Sequence, residues 1–346
     1  MKAVTFIDHG GTEVVRYGDV PDPGPDDDEV LVDVKAGALN HLDVWTRKGL
    51  PGVDLEMPHV PGSDAAGIVR EVGPDVTRFS VGDRVAVLAG VYCGDCEYCR
   101  DGEHSLCDDY YLLGEHVPGV HSELAAVPED NLIAVPQGVD WETAAAAPLV
   151  FQTAWRMLRT RADLRPGEKV LVLGASGGVG HAAVQIADYA GAEVYATGSS
   201  EAKLAASREY GADHVIDYTV EDFGERIYKE TDGRGVDVVV DHVGEETYPE
   251  SLRSLTKGGR LVTCGATSGP NPDAELNRIF WEQLSVIGST MASLGECHEV
   301  LDLVWDGTFE PAVRETLPMS EAARGHEMLE DREGFGKVVL VPDSEY

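Results

Sequence analysis

The chain has 346 residues, with 62 acidic against 27 basic side chains, a formal charge of −35, and 43% apolar residues. That length can bury two hydrophobic cores. The charge speaks against nucleic acid and anionic lipid surfaces as partners, since both require a basic face. The carboxylates are spread along the whole chain, and eight lysines stand against nineteen arginines. This composition reads as a halophile's surface, adapted to molar salt, where self-repulsion is screened. No N-terminal signal stretch and no apolar run of about 20 residues occurs, so a cytoplasmic protein without a membrane span is expected.

The first 125 or so residues alternate short β-runs with Gly and Pro punctuation: Lys2–Phe6, Glu13–Tyr17, Glu29–Val34, Gly67–Val72 and Asp83–Val87. Within this part lies Cys93-Gly-Asp-Cys96-Glu-Tyr-Cys99, followed after seven residues by Cys107. Two-residue gaps let thiolates from one turn-rich loop converge on a tetrahedral ion, and a fourth thiolate closes the shell. One structural zinc in a lobe at 93–107 is the expected occupant. The spacing matches neither common ferredoxin arrangement, and Cys264 and Cys297 stand apart.

Past residue 140 the pattern changes. The Ala-rich stretch Thr143–Arg161 has helical spacing, and six apolar strands then alternate with helical segments: Lys169–Leu173, Glu193–Thr197, His214–Ile216, Val236–Val240, Arg260–Cys264 and Leu284–Ser289. This is the pattern of a doubly wound parallel sheet. Helical segments near Glu296–Trp305 and Glu321–Leu329 and a strand at Val338–Val341 follow.

The first of these strands runs into Gly174-Ala-Ser176-Gly177-Gly178-Val179-Gly180 and a helix over His181–Tyr189. A Gly-rich turn between strand and helix binds a dinucleotide pyrophosphate through backbone N–H groups and the helix N-terminus. Gly174 serves the tight turn and Gly180 the helix–strand approach. The second strand ends in Gly198-Ser199-Ser200 and not in an acidic residue. Ser199, Ser200 and Lys203 then suit a 2′-phosphate, which makes NADPH the expected cofactor and NADH the alternative. Glu201 is the counter-indication, although a helix's first turn also favours an acidic residue.

A zinc lobe inside a β-rich N-terminal part, followed by a Gly-rich dinucleotide fold, resembles the medium-chain dehydrogenase/reductase superfamily. The likeness includes Val81-Gly-Asp-Arg-Val85, Gly174–Gly180 and Phe280–Ala292 and covers essentially the whole chain. It implies an α/β protein with a GroES-like catalytic domain (1–150 and 293–346) and a doubly wound Rossmann domain (151–292). It also implies a homodimer or homotetramer formed through the sheet edge near Ser285–Met291. Zinc alcohol dehydrogenases of the family carry Cys, Arg or His, Ser or Thr, and Asp where this chain has Asn40-His41-Leu42-Asp43, and Gly-His-Glu where it has Gly62-Ser63-Asp64. Asn40 and Ser63 are poor zinc ligands. Asn40 with the following Asp43 and the aromatic Trp45 resembles the quinone oxidoreductase branch, whose members reduce quinones or conjugated enones without catalytic metal.

On that resemblance Asn40, His41 and Asp43 are the candidate catalytic residues. Asn40 and Asp43 would equally serve as helix-start residues, and Trp45 would wall the pocket or pack in the core. Thr153, Tyr218, Gly244 and Gly265 join the Gly-rich loop as cofactor contacts. The alternatives are a zinc-dependent alcohol or aldehyde dehydrogenase with unusual ligands, and an NADPH sensor without turnover.

Overall fold

The computed structural model describes residues 1–332 and 334–346. The chain divides into two compact units, Met1–Leu149 with Ser293–Tyr346, and Val150–Ala292. In the first, a seven-stranded sheet orders Val313–Pro318, Lys337–Val341, Glu29–Ala38, Asp64–Val72, Arg84–Val87 and Leu132–Ala134, with Leu124–Pro128 also pairing on Glu29–Ala38. The long strand Glu29–Ala38 pairs antiparallel with three neighbours. Its residues Val30, Val32 and Val34 are spaced by two, so they share a face, and all join one buried cluster with Val4, Phe6, Val85 and Leu340.

The second unit carries six parallel strands in the spatial order His214–Asp217, Glu193–Gly198, Lys169–Val172, Val236–Val240, Leu255–Thr263, Ser285–Gly288. Numbered by sequence within this sheet, the order is 3-2-1-4-5-6, the arrangement that places a switch point beside the first strand. The central strands are mainly apolar, with Lys169 and Asp237 near their starts, because the sheet is covered on both faces. Val170, Leu171, Val172, Val238, Val239 and Val240 are all fully buried.

Two segments depart from the sequence expectation. Glu13–Tyr17 is a 3-10 turn, Thr12–Val14, followed by a strand at Val15–Asp19. The stretch Thr143–Arg161 is not one helix but Trp141–Ala146, Pro148–Trp155 and a π-helical turn at Arg156–Arg161. Pro148 has no N–H for the preceding turn and its ring crowds that turn's carbonyl, so it begins a new helix.

Candidate active site and nucleotide corner

The Asn40–Asp43 motif stands at the start of the helix His41–Lys48, at the end of the strand Glu29–Ala38. Asp43 Oδ2 accepts the Asn40 backbone N–H at 2.7 Å, which ties the first helical turn. The Asn40 side chain turns away from the helix. Its Nδ2 donates to Asp64 Oδ2 at 2.8 Å and to the Ala38 carbonyl at 3.3 Å, and its Oδ1 accepts from Lys337 Nζ at 2.5 Å. Lys337 Nζ also lies 3.2 Å from Asp64 Oδ2, and both side chains are at most 3% exposed. Asp64 Oδ1 accepts the Leu149 N–H at 3.0 Å. That N–H, in the first turn of the Pro148 helix, has no carbonyl partner within the helix. Four distant parts of the sequence thus meet around one buried ammonium.

Asn40 is 6% exposed, and both of its amide donors and its carbonyl oxygen are engaged inside the first unit. These bonds tether Asn40 to Asp64 and Lys337 within the first unit. Burial pushes the Asp43 carboxyl up to about 7, the nearby Asp64 carboxylate adds to the rise, and the Asn40 N–H and the Lys337 ammonium oppose it. Ser63 Oγ donates to the Leu113 carbonyl at 2.8 Å. His59 is buried with Nε2 3.0 Å from the Gly114 carbonyl, and burial lowers its pKa. His41 and Trp45 remain half-buried with their rings 6.2 Å apart, so Trp45 is not a core residue.

Two members of this group were not signalled by any motif. Lys337 opens the strand Lys337–Val341, whose other residues are all apolar and buried; a lone lysine in such a strand was the available clue. His121 is fully buried, its ring pressed against Gly37 and Gly62 so closely that a Cβ at Gly62 would stand 2.4 Å from the ring. Burial pushes the His121 imidazole down to about 4.

In the second unit, Gly174 adopts φ +58°, a left-handed conformation that favours glycine. Gly177 N–H donates back to the Gly174 carbonyl at 3.0 Å, and the helix starts at Gly178, with Val179 and Gly180 in its first turn. A Cβ at Gly180 would stand 2.2 Å from the Gly174 carbonyl oxygen, so helix and strand can approach only with glycine there. Ser176 lies in the turn itself. At the end of the next strand, Lys203 Nζ donates to Ser199 Oγ at 3.1 Å. Ser200 Oγ caps the helix Glu201–Glu209 by accepting the Lys203 N–H at 3.4 Å, and its O–H remains a donor. Tyr218 is 46% exposed and its N–H donates to the Gly198 carbonyl, which brings it to the same corner. Glu201 is paired with Arg208.

The other expected cofactor contacts lie at strand ends of this unit. Gly244 has φ +96°, and Asp241 Oδ1 accepts its N–H at 3.0 Å. Gly265 follows the strand Leu255–Thr263 and its carbonyl accepts from Thr263 Oγ1 at 3.0 Å. Thr153 is buried, with Oγ1 4.0 Å from Met291 Sδ.

The four lobe cysteines converge: their sulfurs lie within 4.8 Å of one another, and they form the only such group of potential ligands among the described residues. Backbone N–H groups of Cys93, Asp95, Cys96, Cys99 and Asp109 point at these sulfurs at 3.3–3.5 Å. Such donors favour thiolates, and four thiolates at this spacing suit a closed tetrahedral ion with no open position.

Comparison with known proteins agrees with this architecture. Residues 26–137 match the alcohol dehydrogenase GroES-like domain and residues 178–306 the zinc-binding dehydrogenase domain. An acryloyl-coenzyme A reductase of Metallosphaera sedula is 37% identical over 98% of this chain and 99% of its own. A quinone oxidoreductase of Pseudomonas aeruginosa is 34% identical over 99% of each chain. A solved NAD-dependent alcohol dehydrogenase superposes with a TM-score of 0.95 at 44% identity, over 99% of each chain. The chain belongs to the medium-chain dehydrogenase/reductase superfamily and is one of its nicotinamide-dependent oxidoreductases.

Proposed function

We propose that the protein is an NADPH-dependent reductase of a carbon–carbon double bond or quinone conjugated to a carbonyl, working without a catalytic metal. The observation that carries this reading is the Asn40–Lys337–Asp64 group. The positions where zinc alcohol dehydrogenases hold their metal carry an amide and a carboxylate whose oxygens are already hydrogen-bonded to a buried ammonium. The neighbouring Ser63 hydroxyl is spent on the Leu113 carbonyl. This donor set does not fit a catalytic zinc, which takes three thiolate, imidazole or carboxylate ligands and an open position.

An unactivated alcohol leans on a Lewis acid to stabilise its alkoxide. A conjugated acceptor does not, provided that hydrogen-bond donors meet the developing oxyanion. Bound NADPH supplies the hydride. The chain's own contribution in the second unit is the Gly174–Gly180 turn, which suits the pyrophosphate, and Ser199 with Lys203, which suits the 2′-phosphate. In the first unit the buried group fixes the helix start that carries His41. The acryloyl-coenzyme A reductase and quinone oxidoreductase relatives support the acceptor class.

The lobe cysteines would hold one zinc that staples residues 93–107 and takes no part in the chemistry. Self-association would run through the terminal strand Ser285–Gly288, beside the exposed Leu276, Phe280 and Trp281. The reading is tested by assaying a panel of enones, quinones and alcohols with NADPH and NADH, on protein of known zinc content. Enone or quinone reduction that survives chelation, with one zinc per chain and no alcohol oxidation, is the expected outcome. Alcohol oxidation requiring a second metal per chain would overturn it, and NADPH binding without turnover on any acceptor would point to a sensor.

A further inference from the structure

A seam of buried polar atoms runs behind the Asn40–Lys337–Asp64 group and takes no part in the chemistry above. Asp43, Thr46 and Arg47 sit on one face of the helix His41–Lys48, at i, i+3 and i+4, and are at most 1% exposed. The helix Ala322–Glu330 packs against it and contributes His326, fully buried with its ring edge-on to Phe6 at 5.6 Å. His121 closes the inner end. Thr46 Oγ1, Arg47 Nη1 and both ring nitrogens of His326 have no hydrogen-bond partner in the protein, and the Asp43 carboxyl and the His121 ring have only the Gly62 and Ala38 backbone beside their buried neighbours. The groups lie within electrostatic reach of one another: His326 feels Arg47, His121 and Glu330, and His121 feels Asp64 and Lys337. At the outer end Arg47 Nη2 meets Glu330 Oε2 at 2.6 Å, and Glu330 also pairs with Lys48, whose side chain is 53% exposed.

An orphaned buried polar atom costs about 1–3 kcal/mol. Four of them in one place would consume much of a domain's net stability, so internal water is the natural partner for them. We propose that this seam is a hydrated path along which Asp43 exchanges a proton with solvent at the Glu330 end.

Burial holds the Asp43 carboxyl at about 7 and the His121 and His326 imidazoles at about 4 and 3. Near neutrality the acid therefore carries a removable proton. The imidazoles are neutral, each with one donor and one acceptor nitrogen, as a relay requires. The charged groups facing Asp43 are Lys337, Asp64 and Glu115.

The test uses infrared spectroscopy of the resting full-length protein, so it does not depend on the acceptor. A carbonyl stretch of a protonated carboxylic acid should be present below pH 7, disappear with a midpoint near pH 7, and be absent in Asp43→Asn. On mixing with D2O the band should shift at once in the wild type. In His326→Phe and in Thr46→Val, one lost relay partner, about 1.4 kcal/mol of barrier, should slow the shift roughly tenfold. Thr46→Val keeps the shape of the side chain and serves if His326→Phe does not fold. Absence of the acid band between pH 5 and 8, or exchange as fast in the folded variants as in the wild type, overturns the proposal. If the band behaves as expected while no enone or quinone is reduced, the path stands and the acceptor reading falls.

Discussion

Replacing Lys337 by Met tests the buried group directly. Met keeps the apolar stem and removes the ammonium, which leaves the Asp64 carboxylate, 1% exposed, with only neutral donors. Removing one partner of a buried ion pair costs about 3–5 kcal/mol, because the other charge remains desolvated. In a unit of about 200 residues, with roughly 2–4 °C of Tm per kcal/mol, a loss of about 4 kcal/mol lowers Tm by about 8–16 °C. The double variant Lys337→Met/Asp64→Asn should recover most of this. The new amide oxygen still accepts the Leu149 N–H, and Asn40, relieved of the lysine, can turn its oxygen toward the new Asn donor. Denaturant unfolding of the wild type, both single variants and the double variant gives the coupling energy, expected at about 2–3 kcal/mol. A coupling below about 0.5 kcal/mol, or a Lys337→Met protein as stable as the wild type, would refute the buried pair as the centre of this site.

Three of the shifted buried groups, His121, His326 and Asp43, predict opposite pH effects. His121 and His326 stay neutral in the native state down to about 4 and 3. The unfolded chain binds protons from about 6.5 downward, so stability falls as pH falls below that value, by up to about 2.7 kcal/mol per unit for the two together. Asp43 works the other way: its native carboxyl, held at about 7, keeps its proton where the unfolded one has lost it, so stability falls as pH rises from about 4 to 7. Asp43→Asn should therefore gain on the wild type with rising pH, by at most about 4 kcal/mol at pH 8; unfolding midpoints measured against pH check both slopes. Gly180→Ala puts a Cβ 2.2 Å from the Gly174 carbonyl oxygen, and the displaced turn should weaken NADPH binding by about 1–3 kcal/mol in a fluorescence titration. Lys203→Ala should lower the NADPH-to-NADH ratio of kcat/KM by roughly tenfold, and an unchanged ratio would remove Lys203 from the 2′-phosphate contact. With a net charge of −35, thermal stability should rise from 0.1 M toward molar salt as the Debye length falls from about 10 Å to about 3 Å.

The sequence by itself determined the parts of this protein whose chemistry is local in the chain. The Gly174–Gly180 turn and the Cys93–Cys107 lobe are each built from contiguous residues, so the spacing that allows the geometry is visible as spacing. The six-strand alternation was equally legible, because strands buried on both faces read as mainly apolar runs. Tertiary structure decided the polar centre. Asn40, Asp64, Leu149 and Lys337 meet only because three strands of one sheet and the Pro148 helix start converge, and no periodicity records that meeting. Asn40 read alone suggested a substrate contact or a helix cap. The ammonium at the head of the strand Lys337–Val341, nearly 300 residues away, took up its carbonyl oxygen. Nor could the sequence show that Asp43, His121 and His326 share a buried seam. A side chain's protonation depends on what surrounds it in space, and only the packed structure supplies that.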